Sequence, residues 1–156
     1  YTDLEYQIDA IKMVMDKLNK YNGAILADVV GLGKSIIASA VARNMDIKTV
    51  IIAPPHLIPQ WEEYKEEFGI RGSKVYSAGK IAEVYQRYHD AHEPMLLILD
   101  EAHRYRNEDT SDFKLLHQVC RSHPQNKILL PSPTTSARIA PLYLFSLSIT
   151  ILIASI

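Results

Sequence analysis

The chain has 156 residues, 47% hydrophobic and 22% charged, which is enough for one globular domain with its own core and too few for two. Its 17 Lys and Arg against 18 Asp and Glu leave a net charge of -1 and a pI of about 6.6, so no overall field draws it toward nucleic acid and any such contact needs local patches. A single cysteine, Cys120, excludes an internal disulfide and suits a reducing cytosol, with a small buried thiol as the plain reading.

The first residues, Tyr1-Thr2-Asp3-Leu4-Glu5, are polar and acidic, unlike a signal peptide. They begin without Met, so the chain is expected to be a piece of something longer. Leu4, Ile8, Ile11, Met15 and Leu18 recur at spacings of four and three and predict an apolar stripe on a helix from about Leu4 to Lys20. Gly23, after Tyr21-Asn22, suits a left-handed cap. Ala24 to Ala27 predicts a short buried strand, Asp28 to Gly33 a glycine-containing loop, and Lys34 to Asn44 a buried helix. Thr49 to Ala53 is the next strand, stopped by Pro54-Pro55. Ile58 to Phe68 reads as a helix with Pro59 tolerated in its first turn. Lys74 to Tyr76 is a short strand, Gly79 to His92 a helix, and Met95 to Leu99 the strongest strand, running straight into Asp100-Glu101-Ala102-His103. Asp109 to Arg121 predicts a helix and Lys127 to Leu130 a last strand. These strands are continuous apolar runs that alternate with helices. That pattern implies an α/β fold with a mostly parallel sheet covered on both faces, hence three layers.

Position gives Ala27-Asp28-Val29-Val30-Gly31-Leu32-Gly33-Lys34-Ser35 its meaning. A loop between a strand and a helix aims backbone N–H groups and the positive helix end at one spot. Gly31 and Gly33 let the backbone approach an anion with no Cβ in the way. Lys34 places a cation on the terminal phosphates, and Ser35 offers a hydroxyl to Mg²⁺. The nucleotide cradle is therefore read as Asp28, Gly31, Leu32, Gly33, Lys34, Ser35 and Ile36. Asp28 stands where the strict phosphate-loop pattern has its first glycine, so an ordinary strand-to-helix turn is the competing reading.

Across the sheet, the apolar strand to Leu99 delivers Asp100 and Glu101 to the carboxyl edge, where parallel α/β domains bind ligands. Two carboxylates beside a partly buried site are costly without a cation, and Mg²⁺-ATP brings one. Asp100 is assigned to the metal and Glu101 to orienting and polarising the attacking water; the competing reading is a helix start capped by Asp.

Asp100-Glu101-Ala102-His103 resembles the DEAH box of superfamily 2 helicases, and Arg104-Tyr105-Arg106-Asn107 resembles its continuation in the Swi/Snf-like branch. The loop from Asp28 to Ser35 is similar to that branch's D-E-M-G-L-G-K-T, in which an acid replaces the glycine. Ile51 to Ala53, Pro54-Pro55 and the later Gln60-Trp61 resemble its motif Ia, and Gln7 after Tyr6 matches the upstream glutamine that recognises adenine. The resemblance runs from about Leu4 to Leu130 and implies a RecA-like lobe, residues 1–130, that hydrolyses ATP with Mg²⁺. With a second RecA-like lobe it implies movement along double-stranded DNA. It further implies that His103 couples hydrolysis to nucleic acid and that motif Ia joins the DNA track. From the residues alone His103 is equally a loop histidine, and Trp61 reads as core. The second lobe is not among these residues, and in the family it brings an arginine finger worth on the order of a thousandfold or more in rate. The chain alone is thus expected to bind ATP better than it hydrolyses it. Localisation is expected in the cytoplasm, on the nucleoid if DNA-bound.

The resemblance breaks after Leu130. Where the family has a hydroxyl-Ala-hydroxyl step, this chain reads Pro131-Ser132-Pro133-Thr134-Thr135, whose two prolines are expected to stop a regular strand. From Ile128 to the end the only charged residue is Arg138. The tail, residues 131–156, has three readings: a membrane span, disfavoured by Pro141 and its hydroxyl residues; a buried helix and strand that finish the lobe; or sequence out of frame. The third is preferred, because the resemblance stops abruptly within a motif, and the gene's alternative frame tests it. His89 and His92, three apart, read as a solvated helix face, and no metal cluster is expected.

Overall fold

The computed structural model describes residues 3–28, 33–70, 72–105, 107, 109–132 and 150–154. The apolar runs form β1 (Gly23–Asp28), β2 (Lys48–Ala53), β3 (Lys74–Ser77), β4 (Met95–Leu99), β5 (Lys127–Ser132) and β6 (Thr150–Ala154). Between them lie α1 (Asp3–Tyr21), α2 (Lys34–Met45), α3 (Ile58–Phe68), α4 (Ile81–Tyr88) and α5 (Ser111–Cys120). The strands make a single six-stranded sheet in the order β3-β2-β4-β5-β1-β6, and every pairing is parallel.

Successive side chains of a strand face opposite ways, so each central strand feeds two cores. Val50, Ile52, Leu97, Leu99, Ile128 and Leu130 pack with Val84 and Tyr88 of α4 and Leu116 and Val119 of α5. Ile51, Leu96, Ile98 and Leu129 pack on the other face with Val14 and Leu18 of α1, Ile37 and Val41 of α2, and Trp61 of α3. A strand buried on both faces must be apolar throughout, which is why β4 reads as five consecutive hydrophobic residues, all buried. The three-layer α/β lobe is therefore as expected, and its sheet is entirely parallel among the described residues.

Four local expectations need correction. Of the expected α1 stripe Leu18 is buried and Ile11 and Met15 pack partly against the core, but Ile8 is 43% exposed, and the fully buried line is Tyr6, Ala10, Val14 and Leu18. The helix expected to reach His92 ends at Tyr88, its last buried anchor; beyond it the exposed His89 turns its own ring nitrogen onto the Tyr85 carbonyl at 2.9 Å. The last strand does not stop at Leu130 but includes Pro131 and Ser132. Pairing of β5 with β4 finishes at Leu129, so the missing proline N–H falls beyond that ladder, while the register with β1 continues through Leu26↔Pro131 and Ala27↔Ser132. Gly23, expected as a left-handed cap, instead opens β1, and Asn22 takes the left-handed turn with φ of 61°. Within the tail, Thr150–Ala154 lies parallel to β1 from Ala24 to Asp28. No helix of the described residues is long and apolar enough to cross a membrane.

Candidate nucleotide site

β1 and β4 end at the same carboxyl edge, with β5 between them. Two strand spacings separate the loop that follows β1 from the carboxylates that follow β4, roughly 10 Å, which leaves room for a phosphate and a hydrated cation.

Gly33 sits at the N-cap of α2 with φ of 74°, a left-handed conformation that favours glycine, and its carbonyl accepts the Ile37 amide at 2.8 Å to begin the helix. A Cβ at Gly33 would stand 3.1 Å from Nε2 of Gln7, so α1 brings the Gln7 amide directly against the loop. Lys34, Ser35 and Ile36 form the first turn of α2 and are half-buried. The Ser39 hydroxyl donates to the Ser35 carbonyl at 2.7 Å, tightening that turn. Gly31 and Leu32 lie outside the described residues, and Asp28 and His103 are described by backbone alone: Asp28 closes β1, and His103 lies in a short 3-10 helix, Ala102–Tyr105.

On the other side, the Asp100 amide donates to the Ile52 carbonyl at 2.9 Å, extending the β2–β4 ladder to the last residue before the site. Both carboxylate oxygens of Asp100 are held. Oδ1 accepts the Glu101 amide at 2.9 Å, and Oδ2 accepts the indole N–H of Trp61, also at 2.9 Å. Glu101 takes a left-handed φ of 57°, uncommon outside glycine and typical of places where a backbone is bent for function. Burial lifts the Asp100 carboxyl above the usual carboxylate range; the Trp61 and Glu101 hydrogen bonds pull it back, the Glu101 charge pushes it up, and the Lys34 ammonium pulls it down. The Lys34 ammonium and the Glu101 carboxylate thus both lie close enough to bias the charge on Asp100. A buried carboxylate next to a second carboxylate, facing an ammonium and a helix start, is the donor set a magnesium-phosphate group fits.

Trp61 is 1% exposed and belongs to the core, as read from the sequence. Its bond to Asp100, 39 residues away, is the part the sequence did not signal. Among the described residues a cleft of about 350 Å³ opens at the opposite, amino edge of the sheet beside Lys48, Gly72 and Glu93, away from all of these groups.

Residues 24–128, from β1 to the start of β5, match the ATPase family associated with various cellular activities. The chain belongs to this AAA family. It is thus a P-loop ATPase that binds ATP, and the match spans the whole stretch from the phosphate-loop strand through the acidic pair. The chain is also 27% identical over 143 residues to an uncharacterised ATP-dependent helicase, YqhH, of Bacillus subtilis, an alignment covering 79% of this chain and 25% of that protein. It spans about a quarter of that relative's length.

Proposed function

We propose that this chain is the ATP-binding lobe of a superfamily 2 motor of the Swi/Snf-like branch, in which Mg²⁺-ATP hydrolysis drives movement along double-stranded DNA. The observation that carries the reading is the meeting of three sequence-distant elements at one edge: Gln7 against Gly33, Lys34 opening α2, and Asp100-Glu101 ending β4. Order and spacing of the same residues match the branch's motifs, and a helicase-named relative aligns over most of the chain.

In this reading the Gln7 amide recognises adenine, and Asp28, Gly31, Leu32, Gly33 and Ile36 shape the backbone cradle. Lys34 neutralises the terminal phosphates. Ser35 and Asp100 hold Mg²⁺, which supplies charge neutralisation for the transferred phosphate. Glu101 orients the attacking water and takes its proton. His103, on the 3-10 helix directly after the acids, relays the state of the site to DNA. A second RecA-like lobe completes the site, and the motor resides in the cytoplasm, on the nucleoid while bound to DNA.

A second reading, a nucleotide-binding domain without motor activity or a P-loop ATPase unconnected with DNA, rests on the AAA family match. Phosphate release with and without double-stranded DNA separates the two. The chain alone should turn over well below about one per second, and DNA should raise the rate only when a second RecA-like lobe is supplied. Fast turnover without a partner, or indifference to DNA with the second lobe present, overturns the motor reading.

A further inference from the structure

We infer that Trp61 is a positioning residue for the metal-side carboxylate, fixing the orientation in which Asp100 meets a hydrated divalent cation. The inference rests on the nucleotide-site reading above and assigns a task to a residue outside the phosphate loop and the acidic pair.

An indole N–H is a donor only, and a buried one requires an acceptor. Trp61, 1% exposed on α3, reaches past its own helix to Oδ2 of Asp100 at 2.9 Å. The Glu101 amide takes Oδ1 at 2.9 Å. With one donor on each oxygen, the carboxylate is fixed in both position and plane, and each oxygen keeps a lone pair for a water or a metal. The indole is itself wedged. The Tyr64 ring packs edge-on to it, with centroids 6.1 Å apart at 83°, and Phe68 packs on Tyr64 in turn at 6.3 Å. Gln60, on the exposed side of α3, donates to the Tyr64 hydroxyl at 3.1 Å. The position of Asp100 is therefore set by the packing of α3 and not by the strand end alone. Groups that orient a metal's ligands in this way commonly control metal affinity more than they control fold.

Trp61→Phe keeps an aromatic ring in the core and removes the N–H together with part of the indole's volume. In the full chain, the Mg²⁺ concentration that gives half-maximal enhancement of ATP binding should rise at least about tenfold, while ATP affinity in EDTA stays as in the wild type. A purely structural tryptophan would lower both together or neither. The chain has 1 Trp, so one indole N–H resonance reports the bond directly. It should shift when Mg²⁺ is added to the ATP complex of the wild type, and lose that response in Asp100→Asn. If Trp61→Phe fails to fold, the wild-type indole response decides alone. Unchanged Mg²⁺ dependence in Trp61→Phe, or an indole resonance indifferent to Mg²⁺ in a wild type that does bind ATP, overturns the inference and leaves the nucleotide site standing. A wild type that binds no nucleotide overturns both.

Discussion

At the β1 corner the functional groups are held by backbone: Gly33 in a left-handed turn, Lys34 and Ser35 in the first turn of α2, and the Ser39 hydroxyl on the Ser35 carbonyl. At the β4 corner the Asp100 carboxylate is held by one side chain and one amide, Trp61 on Oδ2 and the Glu101 N–H on Oδ1. The first corner presents a helix N-terminus and its first turn to a ligand. The second is tied into the core, so its carboxylate meets the ligand in one orientation. A phosphate cradle needs many weak donors converging on an anion, whereas a metal site needs few donors placed well.

The comparison is broken most severely at the β1 corner. Lys34→Ala removes the ammonium assigned to the phosphates and should weaken ATP binding by about a hundredfold, read by calorimetric titration, with little change in melting temperature. At the opposite, amino end of β4 stability should suffer instead. Asn126 is buried, accepts the Met95 amide at 3.0 Å, and donates to the Val119 and Cys120 carbonyls at 3.4 and 3.3 Å. Asn126→Ala takes these bonds from the Met95 amide and the Cys120 carbonyl, while the Val119 carbonyl keeps the Ser122 amide and hydroxyl, and should cost about 2 kcal/mol in denaturant unfolding. Gly33→Ala forces a Cβ into a left-handed turn and against Nε2 of Gln7 at 3.1 Å. It should cost about 1–2 kcal/mol and also weaken ATP binding, because relief comes only by moving Gln7 or the loop.

Much of this was legible from the chain. The continuous apolar runs at Thr49–Ala53 and Met95–Leu99 announced a parallel sheet, because burial on both faces leaves no place for alternation. Gln7 was legible only through the resemblance, and it does reach Gly33. The α1 stripe was read in part: Ile11, Met15 and Leu18 do face the core and Ile8 does not, because several apolar residues compete on that helix and the packing partner decides which face turns inward. Pro131 was misread because a proline's fitness in a strand depends on where the neighbouring strand stops, which spacing along one chain does not encode. The Trp61–Asp100 bond joins residues 39 apart through the placement of α3, and no local pattern carries that.

The smallest effect expected lies away from both corners. The buried Tyr105 hydroxyl has no hydrogen-bond partner among the described residues, and burial pushes its pKa from 10.0 to about 12. Below pH 10 the phenol is neutral folded or unfolded. Above it the unfolded chain ionises first, so stability is lost as pH rises toward 12. The buried Cys120 thiol, also raised by burial, adds loss in the same direction from about pH 9. Tyr105→Phe should change stability at neutral pH by under about 1 kcal/mol and flatten part of the alkaline decline, measured by melting temperature across pH 8 to 12.

The central claim is that both corners face one ligand, a nucleotide with its magnesium. ATP titrated into the wild type and into Asp100→Asn, each with Mg²⁺ and with EDTA, tests it most directly. Mg²⁺ should strengthen binding to the wild type, and Asp100→Asn should erase that gain while keeping the affinity seen in EDTA. A full Mg²⁺ enhancement surviving in Asp100→Asn would contradict the account.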